Sequence, residues 1–355
     1  MRVLIIKTSA LGDVVHALPV IDYLHQVYPD VEIDWVVEEA FLPVLEHNPG
    51  LRQILPVRTK KWRKAPFSPE TRRELKALRI ALREGSYDLV FDIQGNLKSG
   101  LIAWLSGAGE RIGFSTEVLQ EKVNRLFTTR RIPFRELDRH VSDRYLRVVS
   151  AAFGKDYLGM DIANNIFSAN EDEAAADRFM AELPQGLVFM FQIGTTWSTK
   201  LWYPEGWIEL ARKIISSYPE STILINWGNP EEQALGERIV REAGASVRML
   251  PWFRIKELIP VIRRVDMLIG GDTGPLYLAA TVGTPTVSYY RATSAATYAP
   301  RGRQHRSVQA DMNCTACYRT SCDQEKDREC RASISVAVLF DAITELIEQS
   351  QRERN

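Results

Sequence analysis

Near the start of the sequence, Asp13 has a side chain of a type, and at a position, suited to catalysis. It follows a short apolar run at residues 3–6 and a polar turn at residues 8–12, and we expect a helix from Val14 onward. Functional groups of α/β folds lie at the carboxyl ends of strands, and a carboxylate there can take a proton, so Asp13 is a candidate general base. The alternative is that Asp13 only caps the helix, because Asp is a preferred N-cap residue.

A second candidate site lies in the loop that holds Thr195, Thr196 and Lys200, just after a predicted strand. Hydroxyl groups and free backbone amides of such a loop can donate hydrogen bonds to phosphate oxygens, and the lysine adds a mobile positive charge. The alternative is an ordinary turn rich in Ser and Thr with a solvated lysine.

Asp272, Thr273 and Gly274 form a third candidate, again at the end of a predicted strand. Pro275 follows them and suits the first turn of a helix. The N-terminal amides of that helix would bind an anion such as a diphosphate. The alternative is a tight turn that Asp272 caps.

Positive charge is concentrated in one segment, although the chain as a whole has 45 basic and 45 acidic residues. Between Arg58 and Arg83 there are ten Lys or Arg and two Glu, a local excess of eight positive charges. The segment suggests a surface for an anionic partner, and the alternative is a solvated face. Its first cluster comprises Arg58, Lys60, Lys61, Arg63 and Lys64.

Strand-like and helix-like segments alternate through both halves of the 355-residue chain. In the first half, strands are expected at residues 3–7, 31–37, 54–57 and 89–93. A polar segment at 164–185 should connect this half to the next strands, at residues 187–192, 222–226, 247–250, 267–269 and 285–289. The pattern predicts an α/β fold with two Rossmann-like domains, at 1–170 and 171–330. Residues 331–355 should hold a helix that packs back on the first domain.

Common nucleotide-binding signatures are absent from the sequence. No G-x-G-x-x-G follows the first predicted strand and no G-x-x-x-x-G-K-S/T occurs, so a nucleotide must be held in another way. We expect no signal peptide, because Lys7 ends the first apolar run, and no apolar run is long enough to span a bilayer. The expected location is the cytoplasm.

All four cysteines lie close together, at Cys314, Cys317, Cys322 and Cys330. A C-x-x-C pair can form half of a tetrahedral zinc site, but the second pair lacks the matching short spacing. In a reducing compartment the cluster favours reduced thiols or a local disulfide over structural zinc. We predict that the site residues include no metal ligands and that the reaction needs no metal ion.

Several of these segments follow one another in the order found in a known family. They are KTSALGDVVHALP at 7–19, DWVVEE at 34–39, KWRK at 61–64, DIQG at 92–95 with Lys98 and Ser99, Thr195 and Thr196 with Lys200, WG at 227–228, and DTG at 272–274. From residue 1 to about residue 290 the sequence resembles the ADP-heptose glycosyltransferases, which form glycosyltransferase family 9. Within that family it closely resembles the lipopolysaccharide heptosyltransferases of type I.

The resemblance implies a GT-B fold, in which two Rossmann-like domains face each other across a cleft. It also implies an inverting transfer of heptose from ADP-L-glycero-D-manno-heptose to Kdo of the lipopolysaccharide inner core, on Kdo2-lipid A. Asp13 would be the base, and the residues expected to contact the acceptor are Lys7, Gly12, Lys60, Lys61, Arg63 and Lys64. The same basic residues could hold the protein at the anionic inner membrane. No cofactor and no nucleic acid partner are expected.

The resemblance places the donor on the second domain. Thr195, Thr196, Lys200 and residues 272–274 would bind the diphosphate, Glu232 the ribose hydroxyls and Phe253 the base. Glu231 is the rival carboxylate, and the alternative for Phe253 is a core aromatic residue.

One position departs from the family pattern. The family usually has His three residues beyond the 272–274 turn, where this sequence has Tyr277. We expect Tyr277 to belong to the nucleotide-sugar-binding residues, since its hydroxyl can still donate a hydrogen bond to phosphate, although it is neutral near pH 7. The exact donor sugar is therefore open. The alternatives are heptosyltransferase II or another nucleotide-sugar transferase of the same fold and, from another class, a metal- or redox-sensing nucleotide-binding protein.

Overall fold

The computed structural model describes residues 1–119 and 121–354. The chain divides into two compact units, Met1–Phe167 and Ser168–Asn355. The expected domain boundary, between residues 170 and 171, lies three residues beyond this division. Among the described residues, no helix combines the length and the apolar composition that a membrane span requires.

The first unit contains a six-stranded parallel sheet. Its strands are β1 (Arg2–Ile6), β2 (Glu32–Glu38), β3 (Gln53–Val57), β4 (Leu89–Asp92), β5 (Glu110–Phe114) and β6 (Arg130–Ile132). Its helices are α1 (Leu11–Ala17), α2 (Pro19–Val27), α3 (Thr59–Lys64), α4 (Pro69–Glu84), α5 (Leu97–Ser106) and α6 (Val141–Phe153), with short 3₁₀ helices at Glu39–Val44 and Lys122–Leu126.

The strand order of this sheet is β3-β2-β1-β4-β5-β6. Val3 to Ile6 of β1 are fully buried, which explains the unbroken apolar run, because helices cover both faces of a parallel sheet. The chain winds outward in one direction from β1 and in the other from β4. The carboxyl ends of these two strands therefore border the crevice where α/β folds bind ligands.

The second unit repeats this architecture. Its strands are β7 (Val188–Gln192), β8 (Thr222–Asn226), β9 (Val247–Met249), β10 (Met267–Gly271), β11 (Thr286–Tyr290) and β12 (His305–Gln309). Its helices are α7 (Asn170–Ala181), α8 (Pro204–Ser217), α9 (Pro230–Ala243), α10 (Ile255–Arg264), α11 (Gly274–Thr281), α12 (Ala295–Tyr298), α13 (Gln324–Ala332) and α14 (Val336–Arg354), with a 3₁₀ turn at Ser198–Lys200. The order β12-β11-β10-β7-β8-β9 puts the reversal between β10 and β7.

Three strands were not predicted from the sequence: β5, β6 and β12. Strands β6 and β12 form sheet edges, where exposed polar residues interrupt the apolar pattern, and β5 begins with two charged residues. The polar segment 164–185 was expected to be only a connection, but it contains α7. Arg264 of α10 holds this helix through an ion pair of 2.5 Å to Glu173.

Helix α14 packs on the core of the second unit, so the expectation that it packs on the first domain is wrong. Leu339, Ile343 and Leu346 are buried in the same cluster as Phe189 and Phe191 of β7. The apolar face of a C-terminal helix is visible in the sequence, but its partner is not, because both sheets offer apolar surfaces of the same kind.

Candidate active site

Asp13 lies in the first turn of α1, not at its cap, because the helix begins at Leu11 rather than at Val14. Its Oδ2 accepts a hydrogen bond of 3.1 Å from the backbone N–H of Ala10, and its Oδ1 accepts one of 3.1 Å from the hydroxyl of Tyr145. The side chain is still 37% exposed. The carboxylate thus satisfies a free amide at the helix start and keeps oxygen surface open to a reactant.

A buried lysine lies beside this carboxylate. The Nζ of Lys7 is 3.9 Å from Oδ1 of Asp13 and 4.7 Å from the centre of the Tyr145 ring. Burial lowers the pKa of Lys7 from its usual value, and the nearby Asp13 and Asp92 carboxylates oppose this shift. The arrangement places a positive charge at the end of β1, where it can attract an anionic ligand.

The loop after β1 is fixed by the loop after β4. The side-chain oxygen of Gln94 accepts hydrogen bonds from the backbone N–H groups of Thr8 (3.0 Å) and Ser9 (2.9 Å). Asp92 is fully buried, which raises its pKa, while its hydrogen bonds oppose the shift. The four groups that donate to Asp92 are Gln94 N, Gly95 N, Ser99 Oγ and Asn124 Nδ2. This network gives the crevice between β1 and β4 a defined shape.

The basic segment around α3 divides into paired and unpaired cations. Lys61 forms an ion pair of 2.6 Å with Glu70. Lys60, Arg63 and Lys64 are exposed, and no carboxylate among the described residues lies within ion-pair distance of them. The three unpaired cations are therefore the ones available to an anionic partner.

In the second unit, Lys200 is held by a buried carboxylate. Its Nζ lies 2.7 Å from Oδ2 of Asp272, whose side chain is only 7% exposed. Thr293 donates a hydrogen bond of 2.6 Å to the same Oδ2. The two loops that the sequence singled out therefore meet at the ends of β7 and β10, and Asp272 orients the lysine within them.

Tyr277 is also directed at this carboxylate. It is buried, and its hydroxyl donates a hydrogen bond to Oδ1 of Asp272. Burial is the main cause that raises the pKa of Tyr277 well above its usual value, with the Asp272 charge acting in the same direction. This differs from the expected hydrogen bond to a phosphate, because the hydroxyl proton is used within the protein.

The remaining phosphate candidates surround Lys200 and the start of α11. The hydroxyl of Thr195 donates to the backbone oxygen of Asp272 over 3.3 Å, whereas Thr196 is exposed. Thr273 is the N-cap of α11, and Gly274 begins the helix with Pro275 behind it. The first amides of α11 have no partner within the helix and can bind an anion.

Glu232 is the carboxylate that the structure brings to this edge of the sheet. Its Oε2 accepts a hydrogen bond of 2.7 Å from the backbone N–H of Gly228. A Cβ added to Gly194 would lie 1.9 Å from Cδ of Glu232, so the absence of a side chain there permits the close approach. Glu231 is exposed. The geometry favours Glu232 over Glu231.

Phe253 is half-buried and packs edge-on against Phe179 of α7, with ring centres 5.6 Å apart. Part of the Phe253 ring surface is therefore buried by packing against another aromatic residue, as expected for a core aromatic residue. A role beside a base stays a prediction.

The four cysteines line one pocket and are all free thiols. No group of three or more His, Cys, Asp or Glu side chains in the described parts of the chain is placed to hold a metal ion. The segment also supports the turn of Lys200, since the hydroxyl of Thr199 donates to the backbone oxygen of Arg319 over 2.6 Å. Burial raises the pKa of Cys330.

Comparisons with known proteins identify the family of this chain. The profile of "Glycosyltransferase family 9 (heptosyltransferase)" matches residues 75–327. The chain belongs to this family. It is 31% identical to lipopolysaccharide heptosyltransferase 1 of Escherichia coli K12 over 294 residues, which are 82% of this chain and 88% of the relative.

Two solved structures of the Escherichia coli heptosyltransferase WaaC, each 27% identical to this chain, match both units. The one with ADP covers 98% of this chain and 99% of its own, with a TM-score of 0.78. The one with ADP-2-deoxy-2-fluoro heptose covers 99% and 100%, with a TM-score of 0.75. The fold of this family 9 glycosyltransferase is therefore α/β of the GT-B class.

Tyr145 and Thr293, which contact the two carboxylates of the candidate site, were missed by the sequence analysis. Tyr145 contacts Asp13 across 132 positions of the chain, and Thr293 contacts Asp272 across 21. Neither lies in a recognisable motif. Their roles follow from the fold, which places α6 beside α1 and the loop after β11 beside that after β10.

Proposed function

We propose that this glycosyltransferase transfers heptose from ADP-L-glycero-D-manno-heptose to a Kdo residue of the lipopolysaccharide inner core, with inversion at the anomeric carbon. The observation that carries the proposal is the pair of sites at the two topological reversals. One presents an accessible carboxylate, Asp13, and the other presents an oriented cation, Lys200. The relatives named heptosyltransferase, and a WaaC structure with an ADP-heptose analogue, support this donor.

Asp13 is the proposed general base. Its exposed oxygen takes the proton of the acceptor hydroxyl while the hydroxyl oxygen forms a bond to the anomeric carbon. The bond from that carbon to the diphosphate oxygen breaks on the opposite face, and its electron pair leaves with ADP. Attack opposite to the leaving group inverts the anomeric configuration.

The second unit stabilises the leaving diphosphate in this proposal. Lys200 can donate to phosphate oxygens while Asp272 holds its position, because an ammonium group has three donors. Thr195, Thr196, Thr273 and the first amides of α11 add hydrogen bonds to the charge that develops on ADP. Glu232 would accept hydrogen bonds from the ribose hydroxyls, and Phe253 would lie beside the adenine.

The acceptor side is assigned to the first unit. Lys7 and Gly12 flank Asp13, and the exposed cations Lys60, Arg63 and Lys64 suit the phosphates and carboxylates of Kdo2-lipid A, with Lys61 held by Glu70 as a fourth. The proposal places the enzyme at the cytoplasmic face of the inner membrane, as a peripheral protein.

The test is transfer by the purified protein from ADP-heptose to Kdo2-lipid A, followed by ADP release and by the mass of the product. We expect turnover in EDTA and a product whose anomeric configuration, read by NMR, is opposite to that of the donor. A thermal-shift comparison of ADP-, UDP- and GDP-sugars should show stabilisation by the ADP-sugar. No transfer to Kdo2-lipid A, or EDTA-abolished activity that zinc restores, would contradict the proposal.

A further inference from the structure

Helix α5 is apolar on the side that faces solvent. Leu97, Leu101 and Trp104 are 45%, 44% and 53% exposed, and their spacing of four and three residues puts them on one face. Ile102 and Ala103 on the other side are buried in the core. A helix in the surface layer normally carries polar residues outside, so the outer face of α5 is suited to a partner.

The neighbouring 3₁₀ helix, Lys122–Leu126, extends this apolar surface. Val123 and Leu126 are 40% and 71% exposed. The segment is fastened to α5, because Asn124 donates to the backbone oxygen of Asn96 over 2.8 Å and the carboxylate of Glu121 accepts from the backbone N–H of Leu97 over 2.9 Å. We call Leu97, Leu101, Trp104, Val123 and Leu126 together the apolar face.

Positive charge borders the apolar face on both sides. Helix α4 contacts α5, and the cations on one side of it are Arg72, Lys76, Arg79 and Arg83. A Cβ on Gly107, at the end of α5, would lie 1.9 Å from the Arg83 guanidinium, so this row runs alongside α5. On the other side are Lys122 and Arg125. We call these six residues the basic border; among the described residues, none has a carboxylate within ion-pair distance.

We propose that the apolar face and the basic border dock on the surface of an anionic lipid bilayer. Apolar side chains with a tryptophan enter the interface between headgroups and acyl chains, while flanking cations attract anionic headgroups. A second copy of this chain is a poorer partner, since two basic borders would repel each other across a twofold interface.

The inference deepens the proposed function, because it says which surface of the first unit meets the membrane that contains the acceptor. The start of α5 lies beside the start of α3, where Nζ of Lys98 is 3.3 Å from Oγ1 of Thr59. Docking through α5 would therefore bring the cations Lys60, Arg63 and Lys64 close to the lipid surface.

The test is co-sedimentation of the full chain with vesicles of phosphatidylglycerol and phosphatidylethanolamine, compared with phosphatidylcholine vesicles. We expect binding to the anionic vesicles, weakened at least about tenfold by Leu101→Ser with Trp104→Ser. The matched control, Leu158→Ser with Trp252→Ser, changes two residues of similar exposure, 48% and 58%, and should bind like the wild type. The triple variant with Arg72→Ala, Lys76→Ala and Arg79→Ala should bind anionic vesicles roughly 100-fold more weakly than the wild type at low salt.

Activity separates this inference from the proposed function. Leu101→Ser with Trp104→Ser should keep wild-type transfer to a deacylated, water-soluble acceptor and lose transfer to an acceptor embedded in vesicles. If the wild type did not transfer heptose to the soluble acceptor, the proposed function would be refuted, but the inference on vesicle binding would be unaffected. The inference is overturned if the wild type does not bind anionic vesicles, if the variants and their control bind equally, or if the substitutions instead abolish a dimer seen by light scattering.

Discussion

Asp13 and Asp272 both lie beside the strand-order reversal of their sheet, Asp13 after the first strand of its unit and Asp272 after the fourth, and their surroundings are opposite. Each follows a strand at the reversal of its sheet. Asp13 is 37% exposed and lies 3.9 Å from its lysine, whereas Asp272 is 7% exposed and lies 2.7 Å from its lysine. Both oxygens of Asp272 accept side-chain hydrogen bonds within the protein.

This difference indicates which of the two carboxylates is suited to accept a proton from a reactant. A proton acceptor needs an oxygen that a reactant can reach, and only Asp13 offers one. Asp272 is fully engaged by Lys200, Thr293 and Tyr277, so it can act only by positioning them. Exposure and hydrogen bonding, rather than residue type, distinguish the two carboxylates.

The largest effect is expected from Asp13→Asn. The amide keeps the shape and the hydrogen bond to Ala10 N but cannot take a proton, so kcat should fall by a factor of about 100 to 10,000. The donor Kd, measured by calorimetry, should stay unchanged. Near-native turnover would end the assignment of Asp13 as the base, and a lower melting temperature with turnover intact would leave it only as a helix cap.

Asp272→Asn should act on stability and donor binding together. It removes the charge that neutralises Lys200 in a mostly buried site, which costs about 3 kcal/mol of unfolding free energy. The donor Kd should rise because Lys200 is no longer oriented. Thr293→Val is the matched control, since it deletes one hydrogen bond to the same oxygen and should cost only about 1 kcal/mol. If Asp272→Asn kept its stability but lost turnover, Asp272 would act in the reaction itself, as proposed for Asp13, and the two carboxylates would not differ in role.

A third test concerns the unpaired cations of the first unit. Changing Lys60, Arg63 and Lys64 to Ala should raise the acceptor KM and leave the donor Kd nearly unchanged. Salt should weaken acceptor binding of the wild type more than that of the variant, because exposed charges are screened within about 10 Å at 0.1 M ionic strength. Lys61→Ala is the comparison variant and should raise the acceptor KM less than the loss of an unpaired cation, since Glu70 already pairs with this lysine. Equal salt dependence in wild type and triple variant would indicate a solvated face.

The placement of both carboxylates after buried strands could be predicted from the sequence, and the reason is local. Strands buried on both faces, such as β1 and β10, give apolar runs, and the loops after them contain Asp13 and Asp272. The partners could not be predicted, because Tyr145 and Thr293 reach these carboxylates only through the tertiary fold. The burial of Asp272 by Tyr277 was missed for the same reason. Edge strands and the packing of α14 also depend on contacts between distant segments.

The smallest effect is expected from Tyr145→Phe, which tests whether Asp13 depends on its neighbours as Asp272 does. The change deletes the hydrogen bond to Oδ1 but keeps the aromatic ring beside Lys7. A single hydrogen bond of this kind contributes about 1 kcal/mol, so kcat should fall only about fivefold, with unchanged donor Kd. Tyr145→Ala, the comparison variant, also removes a buried ring and should lower the melting temperature. If Tyr145→Phe lowered kcat nearly as much as Asp13→Asn does, Tyr145 would be needed to hold the base in place. Asp13 would then depend on its hydrogen-bond partner as strongly as Asp272 depends on its own.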